Sequence, residues 1–297
     1  MRVLIAGSSG FLGTRLGEQL RSSGHEVRRL VRGTPQAPDA SAWDPYAGRL
    51  DVQEVEAADV VVNLAGSPTA GNPHSKSWAR ELRKSRVTTT RVLAEAVAAS
   101  SRRPALLAGN GISFYGDHGP DPVTESSDSR GDALLTQVTR EWQAAAQPAV
   151  DAGARVCVLR TAPVMDRRSA PLKQLRLLFS SWLGARLGDG RQYFPMISVR
   201  DWVGAVGFAA ESDLSGPLNL CCPVTPTNAE FTQALASATG RRAWLVAPAP
   251  VLKLAAGDLA PEVLGSVNAQ PAALVEAGYS FADTDVRDVL ATGLGTG

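Results

Sequence analysis

Apolar runs of strand length alternate along this chain with amphipathic stretches of helix length. Val3-Leu4-Ile5-Ala6 and Val60-Val61-Val62 are continuous, without the every-other-residue polarity of a half-exposed strand, and so fit strands covered on both faces. The pattern predicts strands near residues 2–6, 26–31, 59–64, 105–108, 155–160 and 217–221, with helices near 11–23, 77–100, 132–151 and 201–211. Leu12, Leu16 and Leu20 recur at helical spacing in the first of these helices. This alternation predicts an α/β fold with a doubly wound parallel sheet. Past residue 165 it breaks into a basic and apolar stretch, Leu172 to Leu187, followed by Gly188-Asp189-Gly190-Arg191-Gln192, which reads as an excursion from the sheet. Thr227-Asn228-Ala229-Glu230 has the form of a capping box, so a helix should begin there and stop at Gly240. Gly257, Gly278 and the prolines at 248, 250, 261 and 271 divide the tail into short helices. The polar segment from Asp117 to Asp132 reads as a mobile loop.

The first strand runs directly into Gly7-Ser8-Ser9-Gly10-Phe11-Leu12-Gly13. Glycines at such a strand-to-helix turn let the backbone approach a pyrophosphate, whose charge then sits on the unpaired N–H groups and positive dipole end of the helix. The spacing, Gly-x-x-Gly-x-x-Gly, resembles that of the extended or atypical short-chain dehydrogenase/reductases. The second strand ends Leu30-Val31-Arg32, without the acidic residue that holds the ribose of NAD. Arg32, with Arg28 or Arg29, offers a fork for a 2′-phosphate, so the expected cofactor is NADP; a solvated basic strand end has the same sequence. Asn63-Leu64-Ala65-Gly66 closes the next strand and is similar to the Asn-Ala-Gly segment of that superfamily. Asn63 fits either a ligand contact or a backbone-bonded turn. Arg86 fits either a nucleotide contact or a solvated helix position.

Composition narrows the partners more than the fold. The chain has 297 residues, 44% hydrophobic and 20% charged, enough for one large domain or two small ones. Its 30 basic and 29 acidic residues leave a formal charge of +1, which gives no global field for nucleic acid or an anionic membrane. No apolar run approaches a membrane span, and the first residues read as a strand instead of a signal-peptide core. Cys157 and the adjacent Cys221-Cys222 form neither a metal spacing nor a disulfide framework, which suits a reducing cytoplasm. His25, His74 and His118 are too scattered for a metal site. A small-molecule substrate is the expected partner, and oligomeric state is left open.

Gly109-Asn110-Gly111-Ile112-Ser113-Phe114-Tyr115-Gly116-Asp117 sharpens the resemblance. With Asn63-Leu64-Ala65-Gly66, Ser85-Arg86-Val87, Gly190-Arg191-Gln192, Gly216-Pro217-Leu218-Asn219-Leu220 and Gly278-Tyr279-Ser280-Phe281, the chain resembles the epimerase-family proteins that carry a carboxyl-terminal domain of unknown function. The likeness covers almost the whole chain. It implies a Rossmann domain over residues 1–165, its sheet completed by 198–223, with bound NADP(H). Residues 166–297 would form a smaller substrate-side closing domain. The implied cofactor contacts are Gly7, Ser9, Gly10, Phe11, Leu12, Gly13, Arg32, Asn63, Leu64, Ala65, Gly66 and Arg86.

The superfamily's usual engine, a serine with Tyr-x-x-x-Lys, is missing. An unassisted tyrosine near pKa ~10 is a poor base at neutral pH, so the lysine matters. In the expected helix a register from Leu134 puts Val138 at the lysine position, and one from Leu135 puts Thr139 there. Asn110 stands where the family tends to have serine, and an amide does not readily relay a proton. Tyr115, with Ser113 beside it, is left either as a substitute acid directed at the nicotinamide or as a packed ring. Pro195-Met196-Ile197-Ser198 stands where the family usually has Pro-Trp-Ile-His, and the glycine pair expected before Leu183-Gly184 is absent. Asp201 reads as an N-cap, and Arg191, Gln192 and Ser198 as substrate contacts by resemblance. Two functions remain: an oxidoreductase or epimerase-like enzyme acting on a small polar metabolite, a sugar nucleotide being one case, or a noncatalytic NADP(H)-binding protein read by a partner.

Overall fold

The computed structural model describes residues 1–69 and 71–295. Seven parallel strands make the central sheet: β1 (Arg2–Ala6), β2 (Glu26–Val31), β3 (Ala40–Ala42), β4 (Val60–Asn63), β5 (Ala105–Gly111), β6 (Val156–Thr161) and β7 (Gly216–Leu220). Their spatial order is 3-2-1-4-5-6-7. Alternate residues of each strand feed two separate cores, as the twofold repeat of a strand requires. Val3, Ile5, Val60 and Val62 face one core with Leu16 and Leu20 of helix α1 (Phe11–Ser22), and Trp202 and Val206 of the helix Val199–Glu211. Leu4, Ala6 and Val61 face the other with Leu93 and Val97 of a long helix, Lys76–Ala99. The chain therefore leaves β1 toward one face and β4 toward the other. This divergence opens a crevice at the carboxyl ends of two neighbouring strands, where open α/β sheets bind ligands.

Strand and helix positions follow the apolar pattern, with differences that have local causes. β3 and the short helix Val52–Glu56 escape the pattern because Ala-Ser-Ala and Val-Gln-Glu-Val-Glu are too short to show a period. The helix expected over 132–151 is two, Leu134–Ala144 and Gln147–Asp151, the second with Pro148 in its first turn. The capping box is formed: Thr227 Oγ1 accepts from Glu230 N at 3.3 Å and Thr227 N donates to the Glu230 carboxylate at 2.7 Å.

The segment 117–132 is not a free loop. Pro122–Val123 pairs in parallel with Asn268–Ala269, Val123 is fully buried, and Arg130 N donates to Tyr115 O at 2.8 Å. It straps the tail of the chain to the sheet. Two further short parallel pairs, Val164–Met165 with Ile197–Ser198 and Ala185–Leu187 with Leu245–Ala247, organise the chain after β6. Met165, Leu172, Phe179, Phe231, Leu235 and Val289 form a separate core there. No described helix is long and apolar enough to cross a membrane.

Asp201 is not the N-cap expected of it. Ser198 holds that position, its fully buried hydroxyl accepting from Asp201 N at 3.1 Å. Asp201 instead accepts from Ala282 N at 2.9 Å and Asp283 N at 2.7 Å, anchoring the tail. Ser198→Ala should accordingly cost about 1 kcal/mol of stability, read as a lower urea midpoint with an unchanged m-value; a variant as stable as the parent would contradict the capping role.

Candidate functional site

The turn after β1 is shaped by its glycines. Gly7 has φ +81, and a Cβ there would lie 2.5 Å from the carbonyl carbon of Leu64. A Cβ on Gly13 would lie 2.3 Å from Gly7 O, so both glycines are needed for the protein's own packing. Gly10 is different, since its Cβ would meet only Gly7 O, at 3.3 Å. It is the N-cap of α1 and gives no side-chain acceptor, leaving the first-turn N–H groups of Phe11 and Leu12 without a cap. Ser9 and Gly10 are exposed at the crest of the turn, while Phe11 and Leu12 pack their side chains on the core. An uncapped helix N-terminus beneath a glycine crest is a cradle that fits a pyrophosphate.

The exit of β4 completes one wall. Leu64 and Ala65 lie directly against Gly7. Asn63 is buried and used internally, its Nδ2 donating to Thr90 Oγ1 at 2.8 Å and its Oδ1 accepting from Ala65 N at 3.1 Å. It shapes the wall and is not free to meet a ligand. Gly66 is exposed beside Arg86, whose guanidinium donates to Leu82 O at 3.1 Å and Thr69 Oγ1 at 2.9 Å and has no carboxylate partner among the described residues. Burial lowers its pKa to about 10, the mark of a cation short of counter-charge. At the end of β2, Arg28 is held by Glu54 and Arg29 by Asp39, at 2.6 Å for the shorter contact of the latter pair. Only Arg32 is exposed there and free of hydrogen bonds and ion pairs among the described residues.

The substrate side departs from expectation. Tyr115 does not reach open space: it is fully buried, in a cluster with Ile112, Val123, Ala162, Cys221 and Ala269. Its hydroxyl donates to Asn219 Oδ1 at 2.7 Å and accepts from Arg160 at 2.7 Å. Burial, against the opposing pull of Arg160, pushes its pKa up to about 12. Asn110 is likewise buried, donating to Thr139 O at 3.0 Å and accepting from Gly111 N at 2.7 Å, so it ties β5 to the helix Leu134–Ala144. Val138 and Thr139 are buried in that helix, and Thr139 Oγ1 bonds back to Leu135 O at 2.8 Å. Gln192 donates to Leu187 O at 3.1 Å and serves the fold.

Ser113 alone of the three expected catalytic residues reaches open space. It lies on the single turn Ile112–Phe114 after β5 and lines a cleft of ≈ 850 Å³. This cleft does not lie over the glycine turn. It is formed further along the same carboxyl edge of the sheet, between Ile112–Asp117, Arg130–Thr136, Tyr193–Pro195 and the tail segment from Lys253 to Val267. Its size falls in the roughly 300–1,000 Å³ range of small-molecule sites. Ser113 Oγ donates to Glu262 Oε2 at 2.6 Å, and burial raises the Glu262 pKa. Thr136 also lines the cleft with a buried hydroxyl that has no partner. Neither Glu262 nor Thr136 stands out in the sequence, because an acidic residue after Pro261 and a threonine in a helix are ordinary until the fold puts them on one wall. No group of three potential metal ligands occurs among the described residues.

Residues 3–221 match the NAD dependent epimerase/dehydratase family, and residues 247–292 match a domain of unknown function (DUF1731). The chain belongs to the NAD dependent epimerase/dehydratase family. It is 40% identical to epimerase family protein Mb2239 of Mycobacterium bovis over 290 residues, 97% of this chain and 96% of that one. Epimerase family protein SDR39U1 of Mus musculus is 32% identical over 296 residues, 98% of each chain. The crystal structure of human SDR39U1 (isoform 2) with NADPH superposes with a TM-score of 0.86 at 29% identity, covering 99% of both chains. A nucleoside-diphosphate sugar epimerase from Corynebacterium glutamicum, 35% identical, gives a TM-score of 0.81 over all of this chain and 58% of its own.

With this family's fold in place, Tyr115 can be assigned a structural task. Tyr115→Phe leaves Asn219 Oδ1 without its donor and removes one acceptor from buried Arg160. It should cost about 1–3 kcal/mol, measured by chemical denaturation; a change below about 0.5 kcal/mol would mean the network carries little.

Proposed function

We propose that the protein binds NADP(H) and uses it to oxidise or reduce a small polar metabolite held in the cleft beyond β5. The observation that carries this reading is the placement of a pyrophosphate cradle and an 850 Å³ cleft along one carboxyl edge of one sheet. The first-turn N–H groups after Gly10 would hold the pyrophosphate, and exposed, unpaired Arg32 the 2′-phosphate. Arg86, a cation without counter-charge beside Gly66, would face the remaining anionic part of the nucleotide. The bound dinucleotide supplies hydride transfer. The crystal structure of SDR39U1 with NADPH supports the cofactor, and the nucleoside-diphosphate sugar epimerase from Corynebacterium glutamicum supports a polyhydroxylated substrate. Residues 1–165, with the sheet completed by 198–223, make the nucleotide half, and the chain after 165 closes the substrate side.

Calorimetric titration should show NADPH binding more tightly than NADH. Arg32→Glu should weaken NADPH by about 1.5–3 kcal/mol, the value of a charge-assisted contact, and leave NADH nearly unchanged. Equal affinity for the two nucleotides in the parent protein would remove the 2′-phosphate assignment. A screen of carbonyl compounds and sugar nucleotides, followed at the NADPH absorbance band, tests the reaction. Tight NADPH binding with no turnover across the screen would favour a noncatalytic nucleotide-binding role.

A further inference from the structure

We propose that Ser113 and Glu262 form a proton relay serving the reacting oxygen of the substrate, in the place of the absent tyrosine and lysine. The inference rests on the cleft being the reaction site proposed above. Both side chains line that cleft, and they come from segments 149 residues apart in the sequence. The Ser113 hydroxyl donates to Glu262 Oε2 at 2.6 Å, a short bond of the charge-assisted kind.

What distinguishes Glu262 is the company it lacks. Its only hydrogen bond among the described residues is the one from Ser113, and it has no ion pair. The other charged groups of the cleft are engaged elsewhere or apart from it. Asp117 accepts from Gly119 N at 2.9 Å and Ser266 N at 3.2 Å, Arg130 pairs with Asp128 at 3.2 Å and Asp132 with Arg140 at 3.5 Å, while Lys253 is exposed on its helix and makes no ion pair among the described residues. A half-buried carboxylate without a neighbouring cation is a stronger base than one in solution, and burial raises the Glu262 pKa accordingly. A latch holding the tail to the sheet would need neither the open side toward the cleft nor a carboxylate without counter-charge.

The proton count closes. In the oxidising direction a substrate hydroxyl gives its proton to Ser113 Oγ, and the Ser113 proton passes along the existing bond to Glu262 Oε2. The O–H electron pair becomes the second bond of the carbonyl as the substrate carbon loses a hydride to the oxidised nicotinamide. Ser113 is regenerated and Glu262 ends protonated. Carbonyl reduction runs the same path backwards, with protonated Glu262 as the source. Ser113 touches the substrate, and Glu262 acts through it.

The discriminating variant is Glu262→Gln, which can still accept the Ser113 hydrogen bond through its amide oxygen but cannot take up a proton. Three measurements are made on the full chain: NADPH titration, difference infrared spectroscopy of the protonated-carboxyl stretch against pH, and turnover of a substrate found in the screen. NADPH affinity should stay within about twofold in Glu262→Gln and Ser113→Ala. The parent-minus-Gln spectrum should show one carboxyl titrating above the ordinary glutamate range, and turnover should fall by about 10²–10⁴ in both variants, the span of general acid–base catalysis. A carboxyl titrating in the ordinary range, or turnover that survives Glu262→Gln, overturns the relay alone. A parent protein that binds NADPH and turns over nothing overturns the proposed reaction and the relay with it.

Discussion

The interior of the substrate side is organised around one buried cation. Arg160, near the carboxyl end of β6, is almost wholly removed from water, and no carboxylate meets it in an ion pair among the described residues. A guanidinium in that position is tolerable only if most of its N–H groups find acceptors and its face finds something polarisable; among the described residues its Nε alone finds none. It donates to the Tyr115 hydroxyl, to Glu125 O at 3.2 Å and to Gln143 Oε1 at 3.0 Å, and the ring of Phe114 lies 3.6 Å from it. Those partners come from the turn after β5, from the strap and from the helix Leu134–Ala144, so satisfying one charge fixes three segments. Asn219 of β7 extends the network, accepting from the Tyr115 hydroxyl and donating to Gln270 O at 2.9 Å, while Glu125 accepts from Asn219 N at 3.0 Å and Ala273 N at 3.2 Å. The tail that brings Glu262 to the cleft is held against the sheet partly by this chain of bonds.

This network also accounts for the loss of the expected chemistry at Tyr115. A tyrosine whose hydroxyl is shared between a guanidinium and an amide, under a closed apolar cluster, cannot exchange protons with a ligand in the cleft. The cost of unmaking its two hydrogen bonds is what secures the wall on which Ser113 stands. Asn110 is likewise turned inward, a brace between β5 and the neighbouring helix. The nucleotide side is built differently. Its glycines answer to the backbone of β1, α1 and the exit of β4, and those contacts are required whatever the substrate.

The two halves of the site therefore differ in how far apart in the chain their parts lie. The cradle is made by residues 7–13 and walled by 64–66, at the exits of β1 and β4, two strands that are neighbours in the sheet. The cleft needs residues near 113, 130–136, 163, 193–195 and 253–267 at once. The tail can be altered without disturbing the pyrophosphate turn, because the cleft and the turn share no residues.

The sequence by itself determined the parallel α/β architecture, because strands buried on both faces must be continuously apolar and the helices between them must show a single apolar stripe. It also made the glycine turn legible, because Gly7, Gly10 and Gly13 stand at fixed spacing directly after a buried strand, although the close approach of Leu64 that requires Gly7 is a tertiary contact, and it showed the absence of the tyrosine–lysine pair, because that is a matter of identity and spacing. Whether Asn63, Asn110 and Tyr115 are ligands or braces was decided only by tertiary structure, since a polar side chain at a strand end can bond inward or outward and nothing in its neighbours says which. The strap over 117–132 was equally hidden, for its ordering comes from Asn268–Ala269 and from Arg160, far along the chain. Glu262 was the least legible of all. A carboxyl group in a short, proline-led helix has no distinguishing pattern, and it acquires chemical meaning only when the folded tail places it, without a cation, 2.6 Å from the hydroxyl of Ser113.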